Sequence, residues 1–153
     1  MTKILALKVG PTTGLAIGST TGHLVSRSLN LENAATTLAV ELARLHAAYG
    51  PSAIYVEAPP RPERRSERQS LDAELRQVVV AHAASCAVPV HFVSTRRHRR
   101  NWTGRSCSAE EIVASARARG LAPQTLAEAD ALSIFHCAAT CETPYGAVTR
   151  AWN

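Results

Sequence analysis

The first thirty residues alternate between short apolar stretches and short polar turns, a pattern that predicts three strands. An apolar stretch covers residues 4–9 and stops at Gly10-Pro11, which is typical of a buried strand. Two further stretches, 15–19 and 23–31, are separated by the turn Thr20-Thr21-Gly22. Strands that are joined by turns this short pair antiparallel. We therefore expect an antiparallel three-stranded meander.

The rest of the chain alternates between helix and strand patterns. Apolar residues at helical spacing predict a first helix that Gly50-Pro51 ends, and Ser108-Ala-Glu-Glu111 and Thr125-Leu-Ala-Glu128 are capping boxes that begin two later helices. The predicted helices cover 33–49, 71–86, 108–119 and 125–140, and the predicted strands cover 53–57 and 88–93. The order β-β-β-α-β-α-β-α-α indicates an α/β fold with a five-stranded mixed sheet covered by helices.

The length of 153 residues and a hydrophobic content of 46% suit one domain with a substantial core. We assign this domain to residues 1–143 and expect 144–153 to form an irregular tail. No apolar stretch reaches the ~18 residues that a membrane-spanning helix needs. The first residues do not resemble a signal peptide, so we expect a cytoplasmic protein.

Positive charge is concentrated in two predicted loops, at 59–70 and 95–107. The chain has 17 Lys and Arg against 12 Asp and Glu, a net charge of +5, and arginine is suited to binding phosphate. Clustered arginines indicate a polyanionic partner, although the alternative is an ordinary solvated surface. The candidate DNA-binding residues are Arg61, Arg64, Arg65, Arg68, Arg96, Arg97, His98, Arg99, Arg100, Trp102 and Arg105. For Trp102, stacking on a base and packing in the core are equally good interpretations, and for His98 a phosphate contact is favoured.

The four cysteines, Cys86, Cys107, Cys137 and Cys141, lack the paired spacing of a zinc site. Without a signal peptide, we expect reduced thiols. His136 and Cys137 together with Cys141 form a conceivable metal cluster, but packing on the last helix is favoured.

Four segments, taken in order, resemble the RuvC-type Holliday junction resolvases, and in particular the phage-like members of this RNase H-like family. They are Ile4-Leu-Ala-Leu-Lys-Val-Gly-Pro-Thr-Thr-Gly-Leu-Ala-Ile17, Ile54-Tyr-Val-Glu-Ala-Pro-Pro60, the stretch from Trp102-Thr-Gly104 to Ser108-Ala-Glu-Glu111, and Glu128-Ala-Asp-Ala-Leu-Ser-Ile134. No single segment is specific, but their order and spacing together are moderately so. The resemblance implies an RNase H-like fold.

The resemblance also implies Mg²⁺-dependent hydrolysis of a phosphodiester, with Mn²⁺ as a substitute ion. In such enzymes carboxylates hold the metal, which activates water and stabilises the leaving oxygen. The family places an Asp at the end of the first strand, a Glu at the end of the fourth strand and two acids on the last helix. Glu57 and Asp130 match as catalytic residues and as metal ligands, and Glu128 is a further candidate. Since two residues span about 200° of a helix, Glu128 shares a face with Asp130 only if that helix begins late.

Position 8, where the family has its first Asp, is Lys in this chain. The chain has two aspartates, Asp72 and Asp130, and Asp72 is assigned to a helix start, so it does not replace the missing residue. A lysine in an apolar strand needs a partner for its ammonium group. We therefore expect Lys8 to pair with Glu57 and Asp130, to stand where Mg²⁺ stands in relatives and to prevent tight metal binding. The alternative is that Lys8 points to solvent and the alignment is shifted.

Three functions fit these observations. The first is a RuvC-like protein that binds branched or four-way-junction DNA and cleaves it weakly or not at all. Many relatives have a lysine after the serine of the capping box, and this position is Ala109 here, which also argues against cleavage. His98 could partly substitute for that lysine, although a phosphate contact is favoured. The second is an active nuclease with a rearranged set of Glu57, Glu128 and Asp130, and the third is a regulatory or interaction protein. Family resemblance and the apolar helix 71–86 also predict a homodimer, although that helix could equally be covered by its own sheet.

Overall fold

The computed structural model describes residues 2–20, 22, 24–30, 32–59 and 67–142, with the backbone alone at 67–69 and 142. The strands are β1 Lys3–Lys8, β2 Thr12–Ser19, β3 Leu24–Asn30, β4 Ala53–Glu57 and β5 Val90–Val93. The helices are α1 Ala34–Tyr49, α2 Glu67–Ser85, α3 Thr95–Thr103, α4 Ala109–Ala118 and α5 Leu126–Glu142. In this described part of the chain, no helix is both long and apolar enough to cross a membrane.

The five strands form one mixed sheet in the order β3-β2-β1-β4-β5. The first three strands pair antiparallel as a meander, and β4 and β5 are added parallel to β1. This arrangement confirms the predicted α/β class and the five-stranded mixed sheet. Because β1 and β4 are parallel neighbours, their last residues, Lys8 and Glu57, lie at the same edge of the sheet.

The alternation of side chains along β1 builds two cores, one on each face of the sheet. Leu5 and Leu7 pack with the buried residues of α1 and α2 on one face. Ile4 and Ala6 pack with α5 on the other face. A third cluster joins Trp102 of α3 to α4 and to Ala129 of α5. The helices α3, α4 and α5 therefore lie together and frame the edge where β1 and β4 end.

The basic segment 95–107 was predicted to be a loop, and this prediction is wrong, because most of it is the helix α3. The Ser94 side chain accepts a hydrogen bond from the Arg97 backbone N–H and caps the helix N-terminus. Gly104 ends the helix with a φ of 80°, a conformation that glycine adopts without strain. The residues that α3 buries are His98 and Trp102. Because the buried face of α3 consists of a histidine and a tryptophan instead of aliphatic residues, the pattern of apolar positions in the sequence does not predict this helix.

Several other boundaries differ from the predictions. The helix α2 begins at Glu67, so the end of the predicted loop 59–70 is helical. As a result, Asp72 lies in the second turn of α2 rather than at its start. The strand β2 begins earlier than predicted, at Thr12, and β5 begins later, at Val90. Most of that predicted loop (60–66), the ends of predicted strand 23–31 and the predicted tail 144–153 lie outside the described residues.

The start of α5 lies against β2 at Gly14, with no room for a side chain between them. A Cβ atom placed on Gly14 would be 1.9 Å from the Ala127 carbonyl oxygen. Glycine is therefore required here by the close approach of the two backbones. This contact fixes the first turn of α5, which directly precedes Asp130, against the strands.

Candidate active site

Lys8 and Glu57 form an ion pair at the ends of β1 and β4, which confirms one predicted partner of Lys8. The Lys8 Nζ donates to Glu57 Oε1. Glu57 is 4% exposed, whereas the Lys8 side chain is 27% exposed. The Arg76 guanidinium also donates to the Glu57 carbonyl oxygen at 2.8 Å. The acid is thus buried, and its charge is balanced by a lysine that reaches towards solvent.

The second carboxylate oxygen of Glu57 is bound by His98 of α3. His98 is fully buried, with its Nε2 2.9 Å from Glu57 Oε2 and its Nδ1 2.7 Å from the Ser133 hydroxyl. An ionised carboxylate can only accept, so Nε2 carries the proton. Burial raises the pKa of Glu57, but hydrogen bonds and charge from His98 and Lys8 outweigh it and lower this pKa to about 2. Glu57 is therefore ionised at neutral pH.

Asp130, the second candidate ligand, is paired with Arg99 rather than with Lys8. The Arg99 Nε and an Nη donate to the two oxygens of the Asp130 carboxylate at 3.0 and 2.8 Å. This two-point pairing is the strongest geometry that a guanidinium and a carboxylate can form. The hydrogen bond to Asp130 raises the pKa of Arg99. The expectation that Lys8 would pair with Asp130 is therefore wrong, since among the described ion pairs Asp130 belongs to Arg99.

Lys8 and Asp130 nevertheless line one shared cleft, together with Gly10, Asp72 and Ala109. The Asp72 Oδ1 is buried and has no hydrogen-bond partner among the described residues. Ala109, at the position where the resemblance implies a lysine, lines this cleft as well. The cleft therefore contains one aspartate that the sequence analysis had assigned to a helix start.

Glu128 points towards β3 instead of towards this site. Its carboxylate accepts hydrogen bonds from the Ser26 hydroxyl at 2.7 Å and from the Gln124 backbone N–H at 2.9 Å. Its own backbone N–H donates to the Thr125 hydroxyl, as the predicted capping box requires. Among the described residues, the carboxylate oxygens of Glu57, Glu128 and Asp130 do not come within 4.8 Å of one another as a group. The rearranged set of three acids is therefore not brought together.

The α3 residues that were assigned to DNA binding divide into an inner and an outer group. His98 and Trp102 are buried and Arg99 pairs with Asp130, so these three side chains belong to the protein interior and the site. The Trp102 Nε1 donates to the Ser115 hydroxyl, and the Arg119 guanidinium lies 3.9 Å from the Trp102 ring centre. Of the two interpretations of Trp102, packing in the core is therefore confirmed over stacking on a base. The interpretation of His98 as a phosphate contact is wrong, because this side chain is fully buried.

The outer group lies on the exposed side of the same helix. It consists of Arg96, Arg97 and Arg100, all of which are exposed. Arg105 follows the helix and is paired with Glu111. Arg61, Arg64 and Arg65 lie outside the described residues, and of Arg68 the backbone alone is described.

The donor set at the ends of β1 and β4 does not fit a Mg²⁺ ion. Mg²⁺ needs carboxylate oxygens that are free to coordinate. Both oxygens of Glu57 accept from Lys8 and His98, and both oxygens of Asp130 accept from Arg99. Two protein cations already balance the two buried acids. A divalent ion would have to displace both cations before it could bind.

The pairing of Arg99 with Asp130 and the bridge from Ser133 through His98 to Glu57 were missed by the sequence analysis. One signal was available. His98 and Trp102 stand four residues apart between Ser94 and Gly104, and this spacing gives one face of a short capped helix. No signal in the sequence indicated which acid each arginine would meet.

No protein-family model matches the chain, and no curated protein matches it either. Solved structures do match. RuvC from Thermus thermophilus in complex with a Holliday junction substrate aligns over 90% of this chain and 92% of its own, with a TM-score of 0.76 and 19% identity. A second T. thermophilus RuvC structure covers 91% of this chain and 95% of its own at the same TM-score and identity. The yeast mitochondrial Holliday junction resolvase Ydc2 aligns over 90% of this chain and 78% of its own, with a TM-score of 0.60 and 12% identity. The chain therefore has the fold of the RuvC Holliday junction resolvases.

Proposed function

We propose that this protein binds branched DNA of the four-way-junction class, and that it hydrolyses the phosphodiester weakly or not at all. One observation carries the second half of this proposal. The ammonium of Lys8 is paired with Glu57 at the strand ends, at the position where the resemblance implies a metal-binding carboxylate. A fixed positive charge replaces the ion locally but supplies neither an activated water nor an open coordination position.

The second acid is occupied as well. Arg99 holds both oxygens of Asp130, so restoring a carboxylate at position 8 would still leave one acid paired with a guanidinium. The neutralised acids favour binding of DNA all the same. Unpaired carboxylates repel phosphates, and here each buried acid is balanced by a cation.

The exposed arginines of α3 support the DNA-binding half of the proposal. Arg96 and Arg100 are one helical turn apart, and both are exposed at the side of the helix that faces away from His98 and Trp102. Arginines in this arrangement bind backbone phosphates without reading the base sequence. The RuvC neighbour with a TM-score of 0.76 was solved with a Holliday junction substrate. A four-way junction is therefore the first DNA to test.

The test compares the unaltered chain with Lys8→Asp and with Lys3→Asp. Lys3 lies at the other end of β1 and is exposed, so Lys3→Asp makes the same charge change away from the cleft. Each protein is incubated with a labelled four-way junction, or with a duplex of matched length, in Mg²⁺ or Mn²⁺. Native gels measure binding, denaturing gels measure cleavage, and calorimetry measures the affinity for Mn²⁺.

We expect the unaltered chain to shift the junction at lower concentration than the duplex and to leave its strands intact. We expect Lys8→Asp to bind Mn²⁺ at least tenfold more tightly than the unaltered chain, and Lys3→Asp to show no gain. Cleavage by the unaltered chain, or micromolar Mn²⁺ bound by it in a manner that requires Glu57 and Asp130, would contradict the blocked site. Absence of any preference for the junction would contradict the DNA-binding half and favour an interaction protein.

A homodimer stays a prediction. The apolar residues of α2 that motivated it are Leu75, Val78, Val79, Val80 and Ala83. Leu75, Val79 and Ala83 are buried against the chain's own sheet and α1, and Val78 is partly buried there. Those residues are therefore not available to a partner, whereas Val80 is half-buried. Light scattering at tens of micromolar, with and without junction DNA, measures the mass directly, and a monomer under both conditions would contradict the prediction.

A further inference from the structure

Two histidines and a cysteine meet between α1 and α2, in the helix layer on the opposite face of the sheet from α5. His46 lies in the last turn of α1, and His82 and Cys86 lie at the end of α2. One possible ligand atom from each of the three lies within 4.8 Å of the other two. This cluster shares no residue with the cleft that contains Lys8 and Glu57.

The distances within the cluster are close to those of a tetrahedral metal site. Zn–N and Zn–S bonds of about 2.0–2.3 Å place neighbouring ligand atoms about 3.3–3.8 Å apart. The Cys86 Sγ is already 3.8 Å from the His82 Nε2. The ligand atom of His46 lies within 4.8 Å of the other two, so it would have to move closer by at most about 1.5 Å to bind the same ion.

The chemistry of the two histidines suits a metal as well. The His46 Nδ1 is buried and has no hydrogen-bond partner within the described part of the chain, and an unpaired buried nitrogen costs free energy. The two rings are edge-to-face, with centroids 5.5 Å apart.

We propose that His46, His82 and Cys86 bind a thiophilic divalent cation, Zn²⁺, with water as a fourth ligand. Two imidazoles and a thiolate are typical zinc ligands, whereas Mg²⁺ prefers oxygen. Cys86 directly follows the last residue of α2, and its backbone N–H still donates to the His82 carbonyl at 3.1 Å, so the side chains of His82 and Cys86, four residues apart, project from the same side. His46 comes from the neighbouring helix, and the bound ion would therefore link α1 to α2.

The test uses the full chain and Co²⁺ as a spectroscopic probe for the zinc site. Co²⁺ is added to the reduced protein, and the near-ultraviolet band of cobalt–thiolate charge transfer is recorded, followed by displacement with Zn²⁺. The variants are Cys86→Ser and His46→Gln. The control is Cys107→Ser, which changes another partly buried free cysteine outside the cluster. Circular dichroism of each metal-free variant checks that the fold is kept.

We expect one equivalent of Co²⁺ to produce the thiolate band and one equivalent of Zn²⁺ to remove it. The band should be lost in Cys86→Ser and kept in Cys107→Ser, and the affinity of His46→Gln should fall at least tenfold. No band at one equivalent, a band that depends on Cys107, or an unchanged affinity in His46→Gln would each overturn the proposal.

A second measurement needs no variant. Alkylation of Cys86 by iodoacetamide, followed by peptide mapping, should be at least fivefold slower with Zn²⁺ than with a chelator. Equal rates under the two conditions would overturn the proposal even if a variant failed to fold.

Discussion

The ammonium of Lys8 is paired with the carboxylate of Glu57 across two neighbouring parallel strands. Lys8 and Glu57 are the last residues of β1 and β4, so two paired strands, and not a loop, hold the two side chains in place. Breaking such a pair from one side leaves the buried partner without its counter-ion. The pair therefore contributes to folding in the same place where, in the proposed function, it opposes metal binding.

The first prediction concerns acid stability. The pKa of Glu57 is lowered from 4.5 to about 2, so in this range the unfolded chain binds the proton more readily and stability falls as pH falls. The Glu57 contribution should be fully present above about pH 4.5 and lost as pH falls through about 2, by roughly 3 kcal/mol in total. Urea unfolding between pH 2 and pH 6 measures it, and Glu57→Gln should flatten the profile.

The variant Lys8→Met separates the two donors of Glu57. It removes one of the effects that lower the pKa of Glu57, so the loss of stability should begin at higher pH than in the unaltered chain. The ¹³C shift of the Glu57 carboxyl carbon reports this pKa directly. An identical midpoint in Lys8→Met and in the unaltered chain would show that the ion pair has no energetic weight.

The second prediction concerns His98, which bridges Glu57 and Ser133. His98→Leu leaves two buried polar groups without a partner and should lower the free energy of unfolding by about 2–4 kcal/mol at pH 7. His98→Gln can keep one of the two hydrogen bonds and should cost about half as much. Ser133→Ala, which removes one partner, is the control at about 1 kcal/mol. Equal costs for Leu and Gln would indicate that volume, not hydrogen bonding, is what His98 supplies.

The sheet was predictable because its apolar residues follow simple periods. Residues 4–9 form a continuous apolar stretch apart from Lys8, as expected for a strand that is covered on both faces. The short turns between the first three strands require antiparallel pairing. The later alternation of helix and strand requires that the last two strands are added parallel to β1. The positions of Glu57 and Asp130 followed from the same elements together with the family resemblance.

The polar contacts were not predictable, because they depend on which side chains meet in space. α3 buries a histidine and a tryptophan and pairs an arginine, so its inner face has no apolar pattern. The partner of Asp130 comes from this unpredicted helix. From the sequence, Glu128 could be a helix cap or a site residue. Its carboxylate accepts hydrogen bonds from serines on β3, about a hundred residues away in sequence, and these bonds direct it away from the site.

The third prediction concerns the exposed arginines of α3. Removing one phosphate contact lowers the dependence of log K on log salt by about one. Arg100→Ala should therefore weaken junction binding several-fold and reduce the salt slope by about one, and Arg96→Ala/Arg100→Ala should reduce it by about two. Arg44→Ala is the matched control, since this exposed arginine lies on α1, on the opposite face of the sheet. Fluorescence anisotropy at several salt concentrations measures these slopes, and an equal effect of Arg44→Ala would indicate a general charge effect.

The fourth prediction concerns Gly14, where α5 and β2 touch. A Cβ atom in Gly14→Ala would meet the Ala127 carbonyl at 1.9 Å, and backbone on both sides prevents an easy adjustment. We expect this variant to lose about 3 kcal/mol of unfolding free energy or more. The control is Gly10→Ala, whose added Cβ would have its nearest neighbour at 3.5 Å and should change stability by less than about 1 kcal/mol. Urea unfolding of both variants measures the difference. Because Ala127 lies one helical turn before Asp130, the shift of α5 should also loosen the pairing of Asp130 with Arg99. Comparable stabilities of Gly14→Ala and Gly10→Ala would show that the backbones of α5 and β2 can separate at little cost.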